Sequence, residues 1–367
     1  MTSTALSVAR PSRHFNVGLV VGLIGILLSA IGFLADARRA YVSWLAALAA
    51  GISLALGCLI LVAVTHITGA RWFDPLRRLT LDVAGTFPLL ALLFVLLLPG
   101  LGKLYPWVVD PPSISSAQAT WFRAPFFIGR AALYFAIWIG VSLVLRHWAV
   151  DRGKAVAGPP SLRERALAAA SLPALGLSLT FAAFDWLMSL AAPWVSTVFG
   201  VYWFAGGFLA ALALDVLIAA LSRDSRGEPL LASRQVYALG TLMLTFAVFC
   251  AYIAYCQYFI IWIGDLPAEA AWYVPRVRGS WGVLALVVLF GQFLLPLLAL
   301  LFRSVRMNAR ILALLALWLL VMHYADTYWL VLPSLYPDGL HPHWLDLSAV
   351  AAVAGGGTAW SVWLHRS

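Results

Sequence analysis

Ten stretches of this 367-residue chain are each long and apolar enough to cross a bilayer, and three carry an ionisable side chain well inside the apolar run. Hydrocarbon restricts a spanning backbone to helices or a closed barrel, because every N–H and C=O must find a partner within the protein. Runs of about 20 apolar residues suit the helix, which rises 1.5 Å per residue across a core about 30 Å thick. The predicted fold is therefore all-α: a polytopic membrane protein of about ten transmembrane helices. No loop is long enough to fold alone, so the chain reads as one transmembrane domain. The runs fall at 16–34, 41–64, 82–99, 125–148, 165–190, 196–220, 236–263, 281–302, 310–332 and 344–364. Turn residues separate them, among them Asp74-Pro75, Asp110-Pro111-Pro112, Gly158-Pro159-Pro160, Gly227-Glu228-Pro229 and Asp338-Gly339.

Composition supports the same class. Hydrophobic residues make up 63% of the chain and charged residues 11%, against roughly 45–50% and about 25% in soluble domains. The net charge of +9 is a topological signal rather than a nucleic-acid footprint, since no aromatic–basic interleaving suits bases. Of the 24 Lys and Arg residues, seventeen lie at the two ends, in the even-numbered loops or, as Arg146 and Arg310 do, at the span ends beside them, and six lie in the odd-numbered loops. The last, Arg130, lies within the fourth span. This bias predicts that both termini are cytoplasmic. Trp72, Tyr105, Trp107, Trp121, Trp194, Trp272, Trp344 and Trp363 cluster near span ends, as an interfacial belt would. Arg10 and Arg13 before an apolar run, with Ala35-Asp36-Ala37 after it, imitate a leader peptide. The run exceeds the usual 7–15-residue apolar region of a leader, so it is read as a span.

Three cysteines, with Cys250 and Cys256 about 120° apart on one helix, offer no ligand pair. No haem-attachment or iron–sulfur spacing and no metal-binding pattern occurs. Gly18, Gly22 and Gly25, then Gly51 and Gly57, then Gly206-Gly207, predict close helix packing. Pro88, Pro173 and Pro296 predict kinks in spans three, five and eight.

The buried charges are where chemistry is expected, since one left alone at the bilayer centre costs about 2.5–3.5 kcal/mol on insertion scales. With both termini inside, Arg130, Asp185, His323 and Asp326 fall at a similar depth toward the outer face. His323 and Asp326, three residues apart, share a helix face, flanked by Tyr324 and Tyr328; a carboxylate there can orient the ring for proton acceptance. Asp185 is positioned to pair with Arg130. Asp82 and Asp215, near cytoplasmic span ends, read as solvated carboxylates, and His66, His341 and His343 also lie at span ends or in loops. Only His323 is deep, which argues against a bis-histidine haem.

Several strings resemble the NrfD-like membrane subunits of bacterial alternative complex III, a quinol:cytochrome c oxidoreductase. They are THITGARWFDPLRR, APFFIGRAALYFAIW, FAAFDWLMSL, WVSTVFGVYWFAG, AYIAYCQYFIIWIGDLP and WLLVMHYADTYWLVLPSL, in family order over nearly the whole chain. The resemblance implies two four-helix bundles, 41–190 and 196–332, with an extra helix at each end, 1–40 and 344–364. It also implies a place in the bacterial inner membrane, beside a sister NrfD-like subunit, an iron–sulfur protein and cytochrome c subunits that hold the iron–sulfur and haem centres. Arg130, Asp185, His323 and Asp326 occupy family motif positions. The chain departs from the family where it reads Ser189-Leu190-Ala191-Ala192-Pro193-Trp194, where it reads Tyr237-Ala238-Leu239-Gly240-Thr241, and at Gln292; each departure removes a titratable group.

Three functions follow as expectations. The first is a quinol-oxidising subunit without redox centres or covalently bound cofactors. In it Asp185, His323 and Asp326 take protons from a quinol held by Arg130, Trp186, Tyr202 and Tyr328, with Trp203 and Trp329 available as further walls. The second is a secondary transporter or proton channel, and the third a non-catalytic scaffold for peripheral subunits. Anionic lipids are expected partners; nucleic acid is not.

Overall fold

The computed structural model describes residues 11–109, 120–154, 160–223 and 227–366. The turns predicted at Asp110-Pro111-Pro112 and Gly158-Pro159 lie outside the described residues. Among those described, helices dominate and no strand forms beyond one isolated bridge. Ten helices are long and apolar enough to span a membrane. They are α1 (Pro11–Ala35), α2 (Ala37–Thr68), α3 (Arg71–Val95), α4 (Ala124–Lys154), α5 (Leu162–Trp186), α6 (Phe199–Leu221), α7 (Ser233–Gly264), α8 (Gly279–Leu301), α9 (Ala309–Val331) and α10 (Trp344–Arg366).

The ends of these helices follow from local chemistry. Asp36 caps α2 by accepting from the Arg39 N–H at 3.0 Å, and Gly69 ends it with φ 64°, a conformation that favours glycine. Ser161 and Glu164 form a reciprocal capping box at the start of α5. Asn308 caps α9 through the N–H groups of Arg310 and Ile311.

The prolines act in different ways. In α3 the helix stops at Ala84 and resumes at Phe87, with Pro88 in the first turn of the second piece. Trp360 of α10 donates to the Gly85 carbonyl left free at this break, at 2.9 Å. In α8 a π turn over Leu289–Leu294 precedes Pro296. Pro296 has no N–H to offer one turn back, and Trp318 donates to the Gly291 carbonyl at 2.8 Å. Helix α5 runs through Pro173 without interruption.

Packing divides the helices into two rings of four. In the first, α2 touches α3, α3 touches α4, α4 touches α5 and α5 returns to α2; α6, α7, α8 and α9 close a second ring in the same order. Contacts of α2 with α6 and α9, and of α5 with α6, join the rings. Helix α2 is accordingly the most enclosed: its apolar stretch is 78% buried, against 22% for α7 and α8, which present broad apolar faces outward. The glycines set the seam. A Cβ on Gly57 would run into the Gly207 carbonyl, and one on Gly207 into the Ser53 carbonyl, so α2 and α6 meet backbone to backbone. Helices α1 and α10 pack on each other through Gly18, Gly22, Gly25 and Gly355, and α10 leans on α2 and α3.

Several expected interfacial aromatics are instead internal. Tyr105, Trp107, Trp194 and Trp272 are buried, because the short helices at 101–109 and 267–276 fold back over the bundle ends. Trp344 and Trp363 are exposed.

Candidate functional site

The expected cluster resolves into two, one in each ring. In the first ring, Asp185 near the end of α5 accepts from Arg130 Nε and Nη2 of α4, each at 2.8 Å. Trp121 Nε1 and the Tyr134 hydroxyl also donate to it at 2.8 Å. A carboxylate offers about four acceptor positions, so Asp185 is saturated. Arg130 is equally occupied: Nη1 donates to the Trp121 carbonyl, and the guanidinium lies 4.0 Å and 4.4 Å from the Trp121 and Phe126 ring centroids. Around this knot Trp186, Trp138, Phe94 and Phe135 form a packed aromatic interior.

In the second ring the polar groups are less committed. His323 and Asp326 of α9 are buried, and they share no hydrogen bond with the first cluster. Nor do they bond to each other as their spacing suggested. Neighbouring positions on a helix face point at different partners: His323 reaches α2 and Asp326 reaches α6. Asp326 Oδ1 accepts from the Tyr202 hydroxyl at 2.6 Å. His323 Nε2 lies 3.0 Å from Ser53 Oγ and 3.2 Å from the Ala50 carbonyl.

The tautomer follows from counting protons. Ser53 has one hydroxyl proton, and the Ala50 carbonyl lies 3.1 Å away to take it. The consistent pattern protonates His323 Nε2, as donor to Ser53 Oγ and Ala50 O. His323 Nδ1 is then a bare acceptor, buried and without a partner among the described residues. Nδ1 and Asp326 Oδ2 both face Gly206: a Cβ built there would lie 3.5 Å and 3.7 Å from them. A methyl there would meet both at ordinary contact distance, so the missing side chain leaves room for a small group beside the two polar atoms. Gln257 and Gln292, on α7 and α8 of the same ring, also bury an unpartnered amide oxygen.

The remaining expected residues take other places. Trp186 belongs to the first ring but meets Trp203 of α6 edge-on, centroids 6.4 Å apart, at the seam between the clusters. Tyr202 lies in the second cluster. Tyr328 belongs to a third one: with Arg39, Ser43 and the His343 N–H it donates to Asp346, the Arg39 contact being 2.5 Å. This network clamps α2, α9 and α10 together. Trp329 donates to the Arg276 carbonyl.

Sequence reasoning missed other groups. Asp82 and Asp215 are buried rather than solvated. Asp82 holds Arg146 Nε at 2.9 Å and His365 Nδ1 at 2.8 Å, and Arg146 also reaches the Leu364 carbonyl. Asp215 accepts from Thr80 Oγ1 at 2.8 Å, and its Oδ2 has no partner among the described residues. His66 is also buried, its Nδ1 on the Val62 carbonyl. Outside the spans, Arg276 has no acidic partner among the described residues: it donates to the Trp272 and Leu330 carbonyls and to Ser334 Oγ, and stacks 3.7 Å from the Trp272 centroid. Burial pulls this guanidinium down to about 9, and burial raises the Tyr273 and Tyr105 phenols above their ordinary range.

No family model and no curated protein matches the chain. The functional reading therefore stands on the geometry of these clusters. Among the described residues no group of three or more His, Cys, Asp or Glu side chains could hold a metal ion.

Proposed function

We propose that this chain is an integral membrane subunit of a respiratory quinol-oxidising complex, with its quinol and proton site in the second ring. The resemblance to NrfD-like subunits of alternative complex III supplies the class of assembly. The observation that carries the reading is the pairing of an unpartnered His323 Nδ1 with a half-used Asp326 carboxylate across the space over Gly206. A quinol hydroxyl there would donate to Nδ1. Oxidation releases two protons and two electrons from the quinol. The protons pass to His323 and Asp326, and the electrons leave for iron–sulfur and haem centres held by partner subunits. Tyr202 orients Asp326, and Ser53 with Ala50 fixes the imidazole tautomer. Asp185 and Arg130 hold the first ring together instead of taking part in the chemistry, because their bonding capacity is filled from within the chain.

The bias of Lys and Arg puts both termini in the bacterial cytoplasm and the site toward the periplasmic half. A scaffold reading draws on a different observation: α7 exposes Tyr252, Tyr255, Tyr258 and Trp262 outward, and phenol hydroxyls at membrane depth favour a neighbouring protein over lipid. The test is quinol turnover by the assembled complex carrying His323→Ala or Asp326→Asn. Turnover should fall while the complex still accumulates and still co-purifies with haem proteins in mild detergent. Unimpaired turnover in both variants would leave the scaffold reading. Proton or solute flux by the isolated chain in liposomes would favour a transporter.

A further inference from the structure

A groove between the first and last spans is untouched by the quinol reading. Phe15, Leu19, Leu23 and Ile26 of α1 and Trp360 and Trp363 of α10 line about 290 Å³ of open space. Phe15 and Ile26 are eleven residues apart on one helix, so the groove runs about 16 Å along α1. That is about half of a 30 Å hydrocarbon core, the depth of one leaflet. The space is too small for another helix, which is about 10 Å across with its side chains.

One end of the groove is cationic. The Arg366 guanidinium stands 4.9 Å from the Phe15 ring centroid, and Arg13 lies in the first turn of the same helix, on another face. Both side chains are exposed, and neither pairs with a carboxylate among the described residues. Asp82, the acid bonded to the adjacent His365, is already matched by Arg146 and His365. An apolar slot one leaflet deep, ending in an uncompensated arginine at the level of the chain termini, has the chemistry of an anionic lipid site.

We propose that this groove binds one anionic phospholipid, with an acyl chain along α1 against Leu19 and Trp363 and the phosphate facing Arg366. The site is independent of the quinol reading. The test is native mass spectrometry of the full chain released from bilayers of equal phosphatidylglycerol and phosphatidylcholine. The wild type should retain one phosphatidylglycerol in preference to phosphatidylcholine. Arg366→Gln should reduce that preference about fivefold, the effect of one basic residue at a membrane surface. Leu19→Trp, at a 41% exposed position that fills the groove, should reduce retention of both lipids without lowering the melting temperature. Leu23→Trp repeats that arm one turn deeper. Equal retention of the two lipids by the wild type, or retention unchanged in Arg366→Gln or in both groove-filling variants, would overturn the proposal.

Discussion

The two rings carry a buried acid on the corresponding helix, the last of four, and treat it in opposite ways. Asp185 on α5 receives four donors from three other residues. Asp326 on α9 receives one, from Tyr202, beside an imidazole nitrogen that receives none. Both acids are buried within helices long and apolar enough to span a membrane, where an unsatisfied polar group is expensive. A saturated acid there ties helices together and has nothing left to offer a substrate. An unsaturated one keeps bonding capacity that a ligand, a water or a proton can use. Burial alone does not separate the two; the inventory of donors does.

The sharpest way to break this comparison is to remove one half of each pair. Replacing Asp185 or Arg130 by Ala strands a buried charge and should cost about 3–5 kcal/mol, seen as a large fall in melting temperature or in accumulation in membranes. The apolar double variant Arg130→Met with Asp185→Leu should recover most of that loss, because no lone charge remains. If the single variants leave stability intact while abolishing turnover, the first ring is catalytic and the assignment is reversed.

The second test is the converse. Asp326→Asn or His323→Ala should lower quinol turnover of the complex by about 10²-fold or more, the range for loss of a general base. Accumulation should change little, since each of these residues has few bonds to lose.

The adjacent glycines of α6 sharpen the contrast at one residue's resolution. Gly206→Ala adds a Cβ at ordinary contact distance from His323 and Asp326, so the fold survives while the room beside Nδ1 and Oδ2 is taken up. The expected result is a quinol KM raised roughly tenfold, a loss of about 1.4 kcal/mol in binding. Gly207→Ala forces a Cβ onto the Ser53 backbone and should destabilise the seam by about 1–3 kcal/mol without a specific effect on KM. Matching phenotypes for the two variants would mean that the space over Gly206 serves no ligand.

The sequence made the spans legible because hydropathy is a one-dimensional property. The α3 break beside Pro88 and the glycine seams were legible for similar reasons: a missing N–H or a missing Cβ acts wherever the residue stands. Depth could also be computed along each span, which put Arg130, Asp185, His323 and Asp326 at one level. Depth says nothing about azimuth, and so the division of these four between two rings was invisible. Asp82 and Asp215 misled for a related reason. Distance to the end of a span suggested water, but Arg146 of α4 and His365 of α10 cover Asp82, Thr80 of α3 covers Asp215, and both acids are buried. Arg39 and Asp346, in the first turns of α2 and α10, were passed over as site residues because each stands at the start of its apolar run. Their pairing across 307 positions is a product of tertiary packing alone.

The smallest expected effects come from a matched pair of phenols, and they are the most discriminating. Tyr134 and Tyr202 each donate one hydrogen bond to a buried aspartate, at 2.8 Å and 2.6 Å. Phenylalanine at either position deletes one oxygen and leaves the ring in place. Asp185 then keeps both guanidinium bonds and Trp121, so Tyr134→Phe should cost about 1 kcal/mol of stability, the net worth of one hydrogen bond, and leave kcat unchanged. Asp326 has no second side-chain donor to hold it, so Tyr202→Phe should show a comparable loss as a roughly tenfold fall in turnover, because the carboxylate is no longer aimed at the space over Gly206. Both quantities can be measured on the same preparations, by thermal melting and by steady-state quinol oxidation. Equal phenotypes from the two substitutions would mean that the two aspartates do the same job, and the difference between the rings would then be one of packing alone.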